Sequence, residues 1–200
     1  MKKIEQVFRE VLFQAMENRN KRMTQLGLSE NLGFSLSTIN LALKKLEKMN
    51  AVRIGKMNFS VIDIKKILYF WASIRNLEKD IACKIKINMP VRDIERNMPE
   101  VFWGAFSAYK LRFNDVPADY SEVYVYADTN VLEKIKKRFP ESRLSYEGYN
   151  LFILKADNNM NKYGKTLTLG QIFVELWNLK QWYADDFLKA LDGRISNDWQ

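Results

Sequence analysis

Four short hydrogen-bonding side chains, Ser35, Ser37, Thr38 and Asn40, stand just ahead of three lysines, Lys44, Lys45 and Lys48. Hydroxyls and carboxamides both donate and accept, which is the chemistry that tells one base edge from another, and lysine supplies a point charge for phosphate. Arg53, Lys56 and Asn58 repeat the combination a few residues on. To act together these groups need a helix and a hairpin. Gly33 supplies a turn, and the hydroxyl of Ser35 can accept from a free backbone N–H of the turn that follows. Ile39, Ala42, Leu43, Leu46 and Met49 then recur at steps of three and four. They share one face and leave Ser37, Thr38, Asn40, Leu41, Lys44, Lys45 and Lys48 outside. Asn50 falls where the helix must stop, and Asn tolerates the left-handed cap conformation. Val52 to Ile54 and Phe59 to Ile62 flank Gly55-Lys56-Met57-Asn58, which reads as a hairpin with basic residues at its tip.

The preceding residues supply what such a helix docks against. Ile4, Val7, Phe8, Val11, Leu12 and Ala15 make a helical stripe that the polar cluster Asn18 to Arg22 ends. A short second helix is expected from about Met23 to Asn31, with Leu26 and Leu32 inward. Short helix, glycine turn and capped helix are the parts of a helix-turn-helix. STINLALKKLEKMNAV resembles the recognition helix of winged helix-turn-helix transcriptional regulators, and with its flanking helices the resemblance covers roughly residues 4 to 77. Leu41 departs from the pattern, because a long polar or basic side chain is common there. The resemblance implies double-stranded DNA as partner and a contact set of Ser35, Ser37, Thr38, Asn40, Leu41, Lys44, Lys45, Lys48, Arg53, Lys56 and Asn58. Modules of this kind also serve as protein-interaction adaptors, and that reading is carried as an alternative.

Charge supports the nucleic-acid reading. Residues 1 to 90 hold 17 Lys plus Arg against 8 Asp plus Glu, whereas residues 91 to 200 hold 15 against 16, so the net +8 belongs to the first half. A basic half joined to a near-neutral half is the footprint of a nucleic-acid module carrying a second domain. The chain has no histidine, which excludes imidazole catalysis and histidine metal sites, and its single cysteine, Cys83, excludes an internal disulfide. Cys83 is expected as a small buried hydrophobe. MKKIEQVFREVLFQAMEN breaks each apolar run with Glu, Arg or Gln, which fits neither a signal peptide nor a membrane span. A cytoplasmic protein without membrane contact is expected.

Beyond the hairpin, Asp63 can cap a linker helix over 63 to 77 whose Ile64, Ile67, Leu68, Tyr69, Phe70, Trp71 and Ile74 occupy more than one face. It is expected to pack on the first domain and on something else. Ile81, Cys83, Ile85 and Ile87 alternate as a strand, a short helix follows from Val91 to Asn97, and Pro90 and Pro99 punctuate the chain. The division expected is 1 to 88 and 89 to 200. In the second part, Ala105 to Leu111 reads as helix, Glu122 to Ala127 as strand, and Val131 to Phe139 as a helix capped by Asp128 or Thr129 and ended by Pro140. Leu151 to Leu154 and Thr166 to Leu169 are strand candidates, and helices are expected over Gln171 to Leu179 and Trp182 to Leu191. Trp177, Trp182 and Tyr183 are assigned to the core. Lys136, Lys137 and Arg138 read as a solvated face. Such alternation argues an α+β chain with a small mixed α/β second domain.

WGAFSAYKLRFNDVPADYSEVYVYAD, residues 103 to 128, resembles the start of the nucleotidyltransferase-like domain of abortive-infection antitoxins, and the two-part layout is similar to a group of archaeal winged-helix regulators. Gly104 and Ser107 echo the Gly-Ser element of the catalytic relatives. Metal-assisted phosphoryl transfer needs a pair of strand carboxylates, yet the strand here reads Ser121-Glu122-Val123-Tyr124 and keeps one. The domain is therefore expected to be catalytically inert, with no metal and no cofactor, and Asp119, Glu122 and Asp128 as surface or capping carboxylates. Taken with the first resemblance, this implies a sequence-specific transcriptional regulator, of an antitoxin-type autorepressor kind, acting as a homodimer and paired with a cognate toxin protein. The alternative from another class is a nucleotidyltransferase that holds a nucleic-acid substrate with the winged module and uses Glu122 as a metal ligand.

Overall fold

The computed structural model describes residues 1–139 and 148–198, and the expected stop at Pro140 lies outside them. These residues fall into two compact units, Met1–Arg75 with Thr168–Val174, and Asn76–Leu167 with Glu175–Asp198. The expected division at residue 88 leaves strand 81 to 85 with the first part. In the structure that strand is hydrogen-bonded into the sheet of the second unit.

The first unit runs α1 (Lys3–Met16), β1 (Arg22–Met23), α2 (Gln25–Leu32), α3 (Leu36–Lys48), β2 (Val52–Ile54), β3 (Phe59–Val61) and α4 (Ile64–Ile74). Its three-stranded antiparallel sheet has the order β1-β3-β2, with Ile54 opposite Phe59 and Met23 also opposite Phe59. The sequence reading lacked β1, which is two residues long. α2 begins later than expected because Thr24 caps it, its Oγ1 accepting from the Gly27 N–H at 3.0 Å. That places Leu28 and Leu32 inward and turns Leu26 out, to 57% exposure, correcting its assignment to the core.

α1 is buried on more sides than its apolar stripe requires. Val7, Phe8, Val11, Leu12, Ala15 and Met16 are fully buried, and so are the charged Arg9 and Glu10 or very nearly so. Glu5 accepts from Arg75 Nη1 at 3.0 Å and from the Trp71 indole N–H at 3.4 Å, joining α1 to the end of α4. Arg9 Nη1 donates to Gln171 Oε1 at 3.2 Å, and the Leu169 N–H donates to Glu17 Oε1 at 2.9 Å. The backbone comes close at Gly170, where a Cβ would lie 2.9 Å from Leu12 Cδ1 and 3.1 Å from its Cβ. α4 is capped by Asp63 as expected, and buries Ile64, Ile67, Leu68 and Trp71. Its other side meets Phe8 through Phe70 and Phe173 through Tyr69, both edge to face.

In the second unit a four-stranded mixed sheet has the order β4-β7-β6-β5, formed by β4 (Ile81–Ile85), β5 (Phe102–Trp103), β6 (Val123–Ala127) and β7 (Leu151–Lys155). β6 and β7 are parallel and the outer pairs antiparallel. The parallel pair is joined through α7 (Thr129–Arg138), capped by Asp128, whose Oδ1 accepts from the Val131 N–H at 2.8 Å. α5 (Val91–Arg96) and α6 (Ala105–Phe113) precede β6, and α8 (Leu169–Asn178) and α9 (Ala184–Asp198) close the described chain. Ile85, Ile94, Val123, Val125, Ile135, Leu151 and Ile153 form the core of the sheet.

Three expectations change here. Thr166 makes only an isolated bridge to Trp103, and Leu169 opens a helix, so Thr166 to Leu169 is no strand. Trp182 is 78% exposed and Trp177 47%, leaving Tyr183 alone of the three in the core. The chain breaks its helix between Asn178 and Ala184, so helical spacing does not carry across these residues. Cys83 is only half-buried, beside an irregularity between Ile81 and Cys83 in the pairing of β4.

Candidate nucleic-acid interface

Position on α3 decides what each side chain can reach. At 3.6 residues per turn, Ser37, Leu41, Lys44 and Lys48 fall within roughly 60° of arc, directly opposite Leu46. Ile39, Ala42, Leu43 and Leu46 are all fully buried, while Ser37, Leu41, Lys44, Lys45 and Lys48 are exposed. The helix is thus seated by four apolar contacts and presents one polar and basic front.

Both ends of α3 are pinned. Ser35 Oγ lies 3.4 Å from the Thr38 N–H, 2.9 Å from Ser37 Oγ and 3.0 Å from Thr38 Oγ1, so the hydroxyl holds the first turn while staying exposed. At the other end Asn50 has φ 55°. Its N–H donates to Glu47 O at 2.9 Å and the Ala51 N–H to Leu46 O at 3.0 Å, a Schellman closure that satisfies two free carbonyls. Glu47 then accepts from the Ile54 N–H at 3.3 Å, tying the helix to the hairpin.

The hairpin closes through the Gly55 N–H, which donates to Asn58 O at 2.8 Å. A Cβ at Gly55 would come within 3.1 Å of that same oxygen, which accounts for the residue type. Arg53 and Lys56 are exposed and Asn58 is half-buried. None of Lys44, Lys45, Lys48, Arg53 and Lys56 is ion-paired with another described residue. Five uncompensated cations on one helix and its hairpin set up an attractive field for a polyanion.

The structure brings the start of α2, the start of α3 and the hairpin tip to one groove, lined by Thr24, Gln25, Leu26, Leu36, Ser37, Asn40 and Gly55 to Asn58. Asn40 is half-buried and its Nδ2 donates to Gln25 Oε1 at 3.2 Å. Gln25, Leu26, Leu36 and Met57 were not among the sequence candidates. The signal for Gln25 was present, since Thr24 ahead of it is a good cap.

The residues weighed as catalytic in the second unit are engaged elsewhere. Gly104 stands against Glu175, whose Oε2 accepts from the Ala105 N–H at 3.0 Å and whose Oε1 accepts from Tyr126 at 2.6 Å. Ser107 and Tyr120 donate to Glu95 Oε1 at 2.8 and 2.6 Å, and Lys110 to Oε2 at 2.6 Å. Glu122 accepts from the Tyr183 hydroxyl. Burial raises its carboxyl above the usual range, against the opposing pull of hydrogen bonds from Gln181 and the backbone. The Tyr124 ring stacks on Phe152 at 4.6 Å. Among the described residues no group of three or more Asp, Glu and Cys side chains stands close enough to hold a metal ion, and no helix is long and apolar enough to cross a membrane.

A family model described as winged helix-turn-helix DNA-binding matches residues 10–53. No curated protein and no solved structure matches the chain. The match runs from the middle of α1 into β2 and contains both α2 and α3, so it coincides with the elements that pin the exposed polar and basic front. Residues 10–53 are thus similar, in sequence and in the order of their elements, to a winged helix-turn-helix DNA-binding domain.

Proposed function

We propose that the chain is a sequence-specific transcriptional regulator that lays the front of α3 in the DNA major groove and sets the hairpin against the flanking backbone. The observation that carries this is the stripe Ser37, Leu41, Lys44 and Lys48 on a helix fixed at both ends, with its cations unpaired among the described residues. Ser37, Thr38 and Asn40 take base edges, while Lys44, Lys45, Lys48, Arg53 and Lys56 take phosphates. It acts as a homodimer, because one helix reads only a few base pairs and two half-sites double that number. Light scattering of the protein on DNA tests this, and a one-to-one complex contradicts it.

The second unit we read as a non-catalytic, nucleotidyltransferase-like domain, and the whole as an antitoxin-type autorepressor with a cognate toxin. Support comes from the resemblance of residues 103 to 128, and from a Glu122 that hydrogen-bonds Tyr183 in a half-buried site. Desolvation works against its charged form, which is the form a hard cation needs. The test is incubation of the full chain with labelled nucleotide and magnesium or manganese. No incorporation is expected, and incorporation abolished by Glu122→Gln would make the protein an enzyme.

A further inference from the structure

The groove and front of α3 carry groups that neither hydrogen bonding nor charge employs. Leu36 and Leu41 are 50% and 53% exposed, and Leu26 and Met57 more so. Leu26, Leu36 and Met57 line the groove beside Ser37 and Asn40, and Leu41 stands one turn beyond Ser37 on the front. Around them lie Lys44, Lys45, Lys48, Arg53 and Lys56, none ion-paired with another described residue. The partner must therefore be anionic at its rim and offer small apolar groups at its centre. In the major groove the base edges present one such group, the C5-methyl of thymine. Asn40 supplies the complement. Its Nδ2 spends one hydrogen on Gln25 Oε1, which leaves a second N–H and the Oδ1, the pair that matches N7 and N6 of adenine.

Resting on the DNA-binding reading above, we infer that Leu36 and Leu41 are specificity-determining residues that cover thymine methyl groups, with Asn40 on an adjacent adenine. The half-site facing the first two turns of α3 is then a run of A·T pairs. The departure at Leu41 from the long polar residue common at that position becomes a preference. It exchanges a hydrogen bond or phosphate contact for a methyl contact.

The test uses the full chain to select duplexes from a random-sequence library, after which the selected duplex is remade with deoxyuridine in place of thymidine. The two differ only in the methyl groups. A selected A·T core is expected, and binding weaker by roughly fourfold for each methyl that is covered. The double variant Leu36→Ala, Leu41→Ala changes two exposed residues and should bind both duplexes equally, its helical content by circular dichroism unchanged. Equal binding of the two duplexes by the wild type, a G·C core, or a double variant that still prefers thymidine overturns the inference while leaving sequence-selective binding in place. A library that yields no enriched sequence overturns the inference and the proposed function together.

Discussion

Replacing Lys44, Lys45 and Lys48 together with Ala isolates the electrostatic half of the interface. All three are exposed, their neighbours on the buried side are untouched, and none is ion-paired with another described residue, so folding has little to lose. Each lysine that neutralises one phosphate releases counterions worth a slope of about −0.9 in log K against log salt. Three per subunit contribute a slope of about −2.7, which between 50 and 200 mM salt amounts to a loss of roughly 40-fold in affinity. A two-subunit complex doubles the slope. Fluorescence anisotropy of a labelled duplex over a salt series reads it directly. The triple variant should bind all DNA more weakly and show a slope flatter by about 2.7 per subunit, on random and selected duplexes alike. An unchanged slope would take the three lysines out of the interface and refute the reasoning from helical position.

Other consequences follow from the fold. Glu5→Ala removes one acceptor of Arg75 and of the Trp71 indole, in a pair whose side chains are 2% and 4% exposed, so urea unfolding should show a loss of about 1.5–3 kcal/mol, and a loss under about 0.5 kcal/mol would mean the pair is not buried in solution. Asn50→Gly should leave stability unchanged or raise it, whereas Asn50→Ala should cost about 1–2 kcal/mol, since φ 55° is strained for any residue with a Cβ other than Asn or Asp; equal behaviour of the two variants would contradict the left-handed cap. Glu122 has its carboxyl raised by burial, so the stability it contributes is present below the ordinary glutamate value of about 4.3 and is lost as pH rises through the folded-state value. Glu122→Gln should therefore be more stable than wild type at pH 7, with the difference closing in acid. A difference independent of pH would refute the assignment.

What was legible in the chain was what repeats locally. The face of α3 could be read because Ile39, Ala42, Leu43 and Leu46 keep helical spacing between a serine cap and an asparagine stop, and the hairpin because Gly55 separates two β-branched runs. The model match to residues 10–53 agrees with the part read most directly. Elements set by distant partners were not legible. β1 exists because Arg22 and Met23 pair with Ser60 and Phe59, and two residues show no period. Glu5, Arg9 and Glu10 lie outside the apolar stripe of α1, yet all three are buried, Arg9 against Gln171, 162 positions away. Leu26 faces out because α2 starts at its Thr24 cap, a one-turn detail that apolar spacing alone does not show, and the same cap sets Gln25 where it meets Asn40 in the groove. Trp182, expected to open the last helix and pack in the core, instead lies ahead of α9, which starts at Ala184, and is exposed.

The central claim is that α3 reads sequence, and Asn40→Ala tests it most directly. Asn40 lines the groove, half-buried and hydrogen-bonded to Gln25, so on the proposed reading its removal should delete a base contact and no phosphate contact. Binding of wild type and variant is measured on the selected duplex and on random DNA at one salt concentration. The variant should lose roughly 1–3 kcal/mol on the selected duplex and almost nothing on random DNA. Equal losses on the two duplexes would contradict the claim.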